Sequence, residues 1–353
     1  MRILIVTTQV PFVRGGAEIL ADTLLVALRS AGHLAEIAAL PFKWYPPSRV
    51  LDHMLAARLY DMSSFNGVTI DRIIGLKFPA YLVPHPNKVA WLLHQHRTAY
   101  ELWDSPYGDL INAPQGHVVR DAIQVADATA FGEMQATYTI SGTVTQRLKY
   151  YNNIDSEVLY PPPEDSELFY CDAAQEYIFC PSRIEPMKRQ HLVIEALALC
   201  KEPVKMVFCG VSSVPSYPDT LRARAEELQI TSRIRWLGRV SQEEKLRYYA
   251  QSMGVVFIPV QEDLGYITME AMLASKPVIT ASDSGGPLEF ITDHATGLIV
   301  EPTAQALAEA MDTLWRERGL AAQWGQAARA AYDAKNISWA SVVDALTGPG
   351  SAE

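Results

Sequence analysis

Residues 1–40 read MRILIVTTQVPFVRGGAEILADTLLVALRSAGHLAEIAAL, and this stretch decides the fold class. Met1–Thr8 is apolar with little alternation, the pattern of a strand in a parallel sheet covered on both faces. Ala17–Ala31 carries Ile19, Leu20, Leu24, Leu25 and Leu28 at helical spacing and stops at Gly32, a residue suited to ending a helix. Leu34–Ala39 is the next strand. A strand, a helix and a strand in 40 residues make one βαβ unit.

The alternation continues outward from there. Asp71–Lys77 and Lys88–His94 are further strands, and His117–Ala128 and Thr143–Tyr151 are helices. Tyr160-Pro161-Pro162-Pro163 ends this regime, because such a run fits neither a helix interior nor a central strand. The acidic, irregular segment up to Gln175 is expected to link two domains. The pattern restarts with strands at Tyr177–Pro181, Lys205–Gly210, Ile234–Leu237, Gly254–Ile258, Pro277–Thr280 and Gly297–Val300. Helices are expected at His191–Leu199, Leu221–Leu228, Glu243–Ser252, Tyr266–Ala274, Ala304–Arg318, Leu320–Ala334 and Trp339–Leu346. Two successive α/β domains follow, each with ligand-facing loops at the C-terminal ends of its strands and the active site in a cleft between them.

Composition narrows the function classes. The 353 residues include 30 Lys and Arg against 40 Asp and Glu, a formal charge of −10. Residues 1–170 hold 13 basic and 17 acidic side chains, net −4, and the remainder hold 17 and 23, net −6. No basic face stands out, which argues against nucleic acid as a partner. An anionic ligand must be held by a few local groups. Cys171, Cys180, Cys200 and Cys209 form no Cys-x-x-Cys pair, so no zinc cluster is expected, and a reducing cytoplasm suits them. No apolar run approaches the roughly 18 residues of a membrane span. A weak peripheral contact at the inner face of the membrane stays open.

Four loops carry candidate chemistry. In the first, Gly15 and Gly16 sit at a helix start, where free N–H groups attract anions. It lacks Gly-x-Gly-x-x-Gly, so a dinucleotide fingerprint is absent. In the second, a strand runs out into His94, Gln95, His96 and Arg97, with His94 nearest the strand end. In the third, Arg183, Lys188 and Arg189 place three cations on one βα loop, suited to a diphosphate. In the fourth, Glu262-Asp263-Leu264-Gly265-Tyr266-Ile267 leads into a helix that carries Glu270. Two carboxylates there can grip two hydroxyl-bearing parts of one ligand while the helix N-terminus holds its phosphate. The plainer alternatives are a dipole-stabilising acid for Glu262 and a solvated helix face for Glu270. An aromatic set, Phe42, Trp44, Tyr45, Tyr100, Trp103 and Tyr107, is suited either to stacking on a sugar or lipid headgroup or to local packing.

In this order the loops resemble the retaining glycosyltransferases of GT-B fold in glycosyltransferase family 4. Gly15-Gly16-Ala17-Glu18, His94, Ser182-Arg183 with Lys188, Leu237-Gly238-Arg239-Val240, the Glu262-x7-Glu270 element and Gly285-Gly286-Pro287 carry the resemblance. It implies two Rossmann-like domains facing each other across a cleft: 1–168 on the acceptor side, 169–336 binding the nucleotide sugar, and a helix in 337–353 crossing back. It also implies roles. Arg183 and Lys188 bind the diphosphate, Glu262 the transferred sugar and Glu270 the ribose. Leu264, Gly265, Tyr266 and Ile267 touch sugar and phosphate, and Gly16, beside Gly15, faces the phosphate. His94 sits near the transferred sugar, and the base packs near Gly210, Arg239 and Val240. His96, Arg97, Trp44 and Trp103 are left for the acceptor, a glycan or glycolipid. No cofactor or metal is implied, since the nucleoside-diphosphate sugar, GDP-mannose or a UDP-sugar, is itself a substrate. One departure is Leu264, where the family commonly has Phe. A sugar-nucleotide epimerase or hydrolase, and a binder without catalysis, are the competing readings.

Overall fold

The computed structural model describes residues 1–348. The chain forms two compact units, one of residues 1–164 joined by 337 onward, the other of residues 165–336.

The first unit runs β1 (Arg2–Gln9), α1 (Gly16–Ser30), β2 (Leu34–Pro41), α2 (Ser48–Leu59), a hairpin of β3 (Ser64–Phe65) and β4 (Val68–Thr69), then β5 (Arg72–Lys77) and β6 (Lys88–His94). It continues with α3 (Gly116–Gly132), β7 (Ala136–Thr139), α4 (Gly142–Asn152) and β8 (Glu157–Val158). Its main sheet is parallel, in the order β2-β1-β5-β6-β7-β8. Ile3, Ile5 and Val6 of β1 are buried, as a strand covered on both faces requires. The helix α2, the hairpin and the strands β7 and β8 add to the elements expected from sequence.

The second unit runs β9 (Ile178–Pro181), α5 (Gln190–Leu199), β10 (Met206–Cys209), α6 (Ser216–Glu227), β11 (Ile234–Trp236), α7 (Gln242–Ala250) and β12 (Val255–Val256). It ends with α8 (Tyr266–Leu273), β13 (Val278–Ala281), β14 (Gly297–Val300), α9 (Ala304–Arg316) and α10 (Arg318–Ala334). Its parallel sheet has the order β11-β10-β9-β12-β13-β14. In both sheets the order runs one way from the first strand and then reverses, with one strand (β2) on the near side of β1 in the first and two (β10, β11) on the near side of β9 in the second. That reversal opens a crevice at the strand ends of such sheets. The ladder of β12 is two residues long where five were expected, although Phe257 N–H still donates to Ile279 O at 2.9 Å.

The segment expected to be a linker is pinned at its C-terminal end. Asp172 N–H donates to Ala250 O at 3.0 Å and Gln175 N–H to Gln251 O at 2.8 Å. A last helix, α11 (Trp339–Thr347), buries Val342, Val343 and Leu346 within the first unit. Arg72 donates to the carbonyls of Leu346 and Gly348 at 2.8 and 2.7 Å, and Trp91 meets Trp339 edge to face. No helix among the described residues is long and apolar enough to cross a membrane.

Candidate functional site

Each unit gathers its candidate residues at the C-terminal ends of its parallel strands. In the second unit, the loops after β9, β10, β12 and β13 are tied to one another. Gln190 is fully buried and anchors the first of them, donating to Ser182 Oγ at 2.7 Å and Arg183 O at 2.8 Å. Lys188 follows in a short 3-10 turn and donates to the Glu262 carboxylate, with its ammonium 5.5 Å from the Phe257 ring. The pair is mostly covered, with Lys188 at 11% side-chain exposure and Glu262 at 25%.

Glu262 is held by its backbone as well. Its N–H donates to Ser284 O at 2.8 Å, and its carbonyl accepts from Gly286 N–H at 2.9 Å. Gly285 lies between them at φ +74°, and a Cβ there would stand 2.5 Å from Glu262 O. Only glycine allows that approach. The Gly285-Gly286-Pro287 turn is thus the seat of the Glu262 loop.

Arg183 and Arg189 divide the remaining positive charge. Arg183 is half exposed and pairs with Glu185 at 3.0 Å, and Glu185 also accepts from Ser213. Arg189 caps α5 and makes a two-pronged ion pair with Asp283 at 2.6 and 2.5 Å. The three cations share the loop as expected, each with a carboxylate partner, and Arg189 ties the β9 loop to the β13 loop.

Leu264 is buried, and Gly265 precedes the first turn of α8, which holds Tyr266 and Ile267. Glu270 is the fifth residue of α8. It is no solvated helix face: its side chain is 13% exposed and accepts from Lys245 Nζ at 3.0 Å and Tyr249 OH at 2.6 Å. Burial, then the Glu270 charge, push the Tyr249 hydroxyl well above its ordinary value, so it stays a donor. Gly210 N–H donates to Gly238 O at 2.9 Å, which joins the ends of β10 and β11. Gly210 has φ +143°, and a Cβ there would lie 2.0 Å from Ser182 O. Arg239 is exposed and Val240 half-buried beside this junction.

In the first unit, the Glu18 carboxylate accepts from Gly15 N–H at 2.8 Å and lies 3.8 Å from Lys77 Nζ. Gly16 is exposed at the start of α1. His94 closes β6 half-buried, with Nδ1 2.6 Å from Gln95 O. His96 packs against Phe78 and Phe42, and burial pushes its pKa down to about 4, so the ring is neutral. Arg97 pairs with Glu101 at 2.6 Å, and Arg147 approaches the same carboxylate at 3.4 Å. Trp44 is exposed and edge-on to Tyr45. Trp103 is instead buried at 8% exposure, between His117 and the guanidinium of Arg120, 4.3 Å from its ring. Of the expected stacking rings, Trp103 is thus a packing residue.

Sequence reasoning missed Asp283, Lys245 and Tyr249. Lys245 and Tyr249 stand four residues apart, one face of α7, but nothing local points that face at α8.

Comparisons with known proteins bear on the family and the fold. Residues 171–331 match the family model described as "Glycosyl transferases group 1". The D-inositol 3-phosphate glycosyltransferase of Corynebacterium glutamicum (strain R) is 31% identical over 173 residues, 47% of this chain and 40% of that protein. The Homo sapiens alpha-1,3/1,6-mannosyltransferase ALG2 is 27% identical over 209 residues, 52% of this chain and 50% of that one. The matched region spans about half or less of the length of these relatives. Anabaena HepE, solved in complex with UDP and glucose, superposes with a TM-score of 0.71 at 17% identity, over 98% of this chain and 97% of that one. At that identity the likeness is one of fold.

Proposed function

We infer that the chain acts as a group 1 glycosyl transferase, since residues 171–331 match that family's model and the chain has a GT-B-like fold. The reaction we propose is transfer of a hexose-type sugar from a nucleoside-diphosphate sugar, GDP-mannose or a UDP-sugar, to a glycan or glycolipid, with retention at the anomeric carbon. The observation that carries it is the grouping of Lys188, Glu262, Glu270 and the α8 N-terminus at one end of the second sheet. Domain roles follow: residues 169–336 hold the donor, and residues 1–168 with the final helix hold the acceptor.

The donor's bond from anomeric carbon to phosphate oxygen breaks, and negative charge grows on the leaving diphosphate. Lys188, Arg183 and the first-turn N–H groups of α8 act on that charge, where fixed electrostatics contributes most. Lys188 is already neutralised by Glu262, so the donor must share that ammonium with the carboxylate. Glu262 then accepts from sugar hydroxyls as a positioning group. The acceptor hydroxyl attacks from the face the diphosphate leaves, and its proton passes to a leaving phosphate oxygen. Glu270 binds the ribose, the base lies near Gly210, Arg239 and Val240, and Gly16 approaches the phosphate. On the acceptor side we assign His94 to the transferred sugar, and Arg97, His96 and Trp44 to the acceptor. Phe12 is fully exposed and, with Trp44 and Tyr45, lies on loops that leave neighbouring strands, which favours an amphipathic acceptor.

A thermal-shift screen over UDP, GDP and their sugars tests the reading, since a ligand that binds the folded form alone raises the melting point. Stabilisation by at least one nucleoside diphosphate, lost in Glu270→Ala, is expected. No shift with any of them would overturn the assignment.

A further inference from the structure

We propose that Lys245 and Tyr249 of α7 are positioning residues that aim Glu270 at the donor's ribose, an inference that rests on the function proposed above. A glutamate has three rotatable side-chain bonds and does not hold two hydroxyls in fixed geometry unaided. Here each carboxylate oxygen is occupied once. Oε1 accepts from Lys245 Nζ at 3.0 Å and Oε2 from Tyr249 OH at 2.6 Å. A carboxylate offers about four acceptor sites. Two remain for the cis-diol of a ribose.

The clamp is itself rigid. Lys245 and Tyr249 sit at i and i+4, so both project from one face of α7. The helix start is locked by a reciprocal cap, in which Ser241 Oγ accepts from Glu244 N–H at 3.2 Å and Ser241 N–H donates to Glu244 at 3.0 Å. The Tyr249 ring is fully buried and meets Phe179 at 5.1 Å and Phe169 at 5.7 Å, both edge to face. Lys245 lies 5.8 Å from the Phe169 ring. The bond from Lys245 is charge-assisted, which makes it one of the stronger contacts holding the carboxylate in place.

The test measures dissociation constants of the full chain for UDP and GDP and for their 2′,3′-dideoxy forms, taking whichever base binds. The ratio of dideoxy to ribose form isolates the diol contact from base and phosphate binding. Wild type should prefer the ribose form by about tenfold or more. Glu270→Ala should abolish the preference. Tyr249→Phe and Lys245→Met should each remove most of it, raising donor KM with little change in kcat. Tyr249→Phe keeps the packed ring, so it is expected to fold. A merely structural tyrosine would lower the melting point and leave the ratio alone. If Glu270→Ala loses the preference while both α7 variants keep it within about twofold of wild type, the positioning inference is overturned and the ribose assignment stands. If Glu270→Ala keeps the preference, the ribose assignment fails and takes this inference with it.

Discussion

Lys188 is neutralised before any ligand arrives, and that shapes what its removal does. Lys188→Ala strands the Glu262 carboxylate and, on the function proposed above, takes a cation from the diphosphate. Donor turnover at saturation should fall by about 100-fold or more. Near-wild-type turnover would remove Lys188 from the reaction. A second residue, in the first unit, sets a pH dependence of stability. Asp127 of α3 is fully buried and accepts from Tyr81 OH at 2.8 Å and Tyr100 OH at 2.7 Å. Burial raises its pKa to about 7 from an ordinary 3.8, against the lowering by its two hydroxyl donors. Between those values the folded state holds a proton that the unfolded state has lost. Its contribution to stability therefore falls as pH rises from about 4 to 7 and is flat above. The melting-point advantage of wild type over Asp127→Asn should be larger near pH 5 than near pH 8. An advantage that grows with pH would refute the assignment.

At the scale of elements, the Glu262 loop depends on a glycine 23 positions later. Gly285→Ala forces a side chain into a left-handed backbone and against Glu262 O, at a cost of about 1–3 kcal/mol. A lower melting point together with reduced donor turnover is expected. Loss of stability with unchanged turnover would show that the loop finds its place by other means. The elements also show what a single sequence reveals. β1, α1, β6 and α8 were legible because apolar runs or periods were bounded by glycine or polar residues. α2 was not, since its core face is only Val50, Met54 and Ala57. β7, Ala136-Thr137-Tyr138-Thr139, has no apolar run and is a strand because β6 and β8 flank it. The site divides in the same way. Lys188 and Glu262 stood out as charges in loops after strands, and Glu270 as a charge one turn into the helix that follows. Asp283 meets Arg189 across 94 residues and Tyr249 meets Glu270 across 21, contacts that no local period encodes.

For the whole molecule, the charge of −10 is compatible with an anionic substrate because one loop of the second unit gathers Arg183, Lys188 and Arg189, each held by a carboxylate. The first unit is completed by α11, whose Val342, Val343 and Leu346 are buried at about 1.5–3 kcal/mol each. Truncation after Asn336 should lower the melting transition of the first unit by calorimetry. The second unit should keep its nucleoside-diphosphate binding. Equal weakening of both would mean that the units do not hold their stability separately.

That last helix also orders events in time. Residues 165–336 are one continuous stretch and can close their sheet as soon as the ribosome has released them. The first unit starts earlier and finishes later, because Arg72 must wait for Leu346, 274 residues downstream. At about 5–20 residues per second, on the order of 10 to 40 s separate the synthesis of residue 164 from that of α11. During that interval the nascent first sheet lacks its closing helix, and the apolar surface that Val342, Val343 and Leu346 will cover stays open.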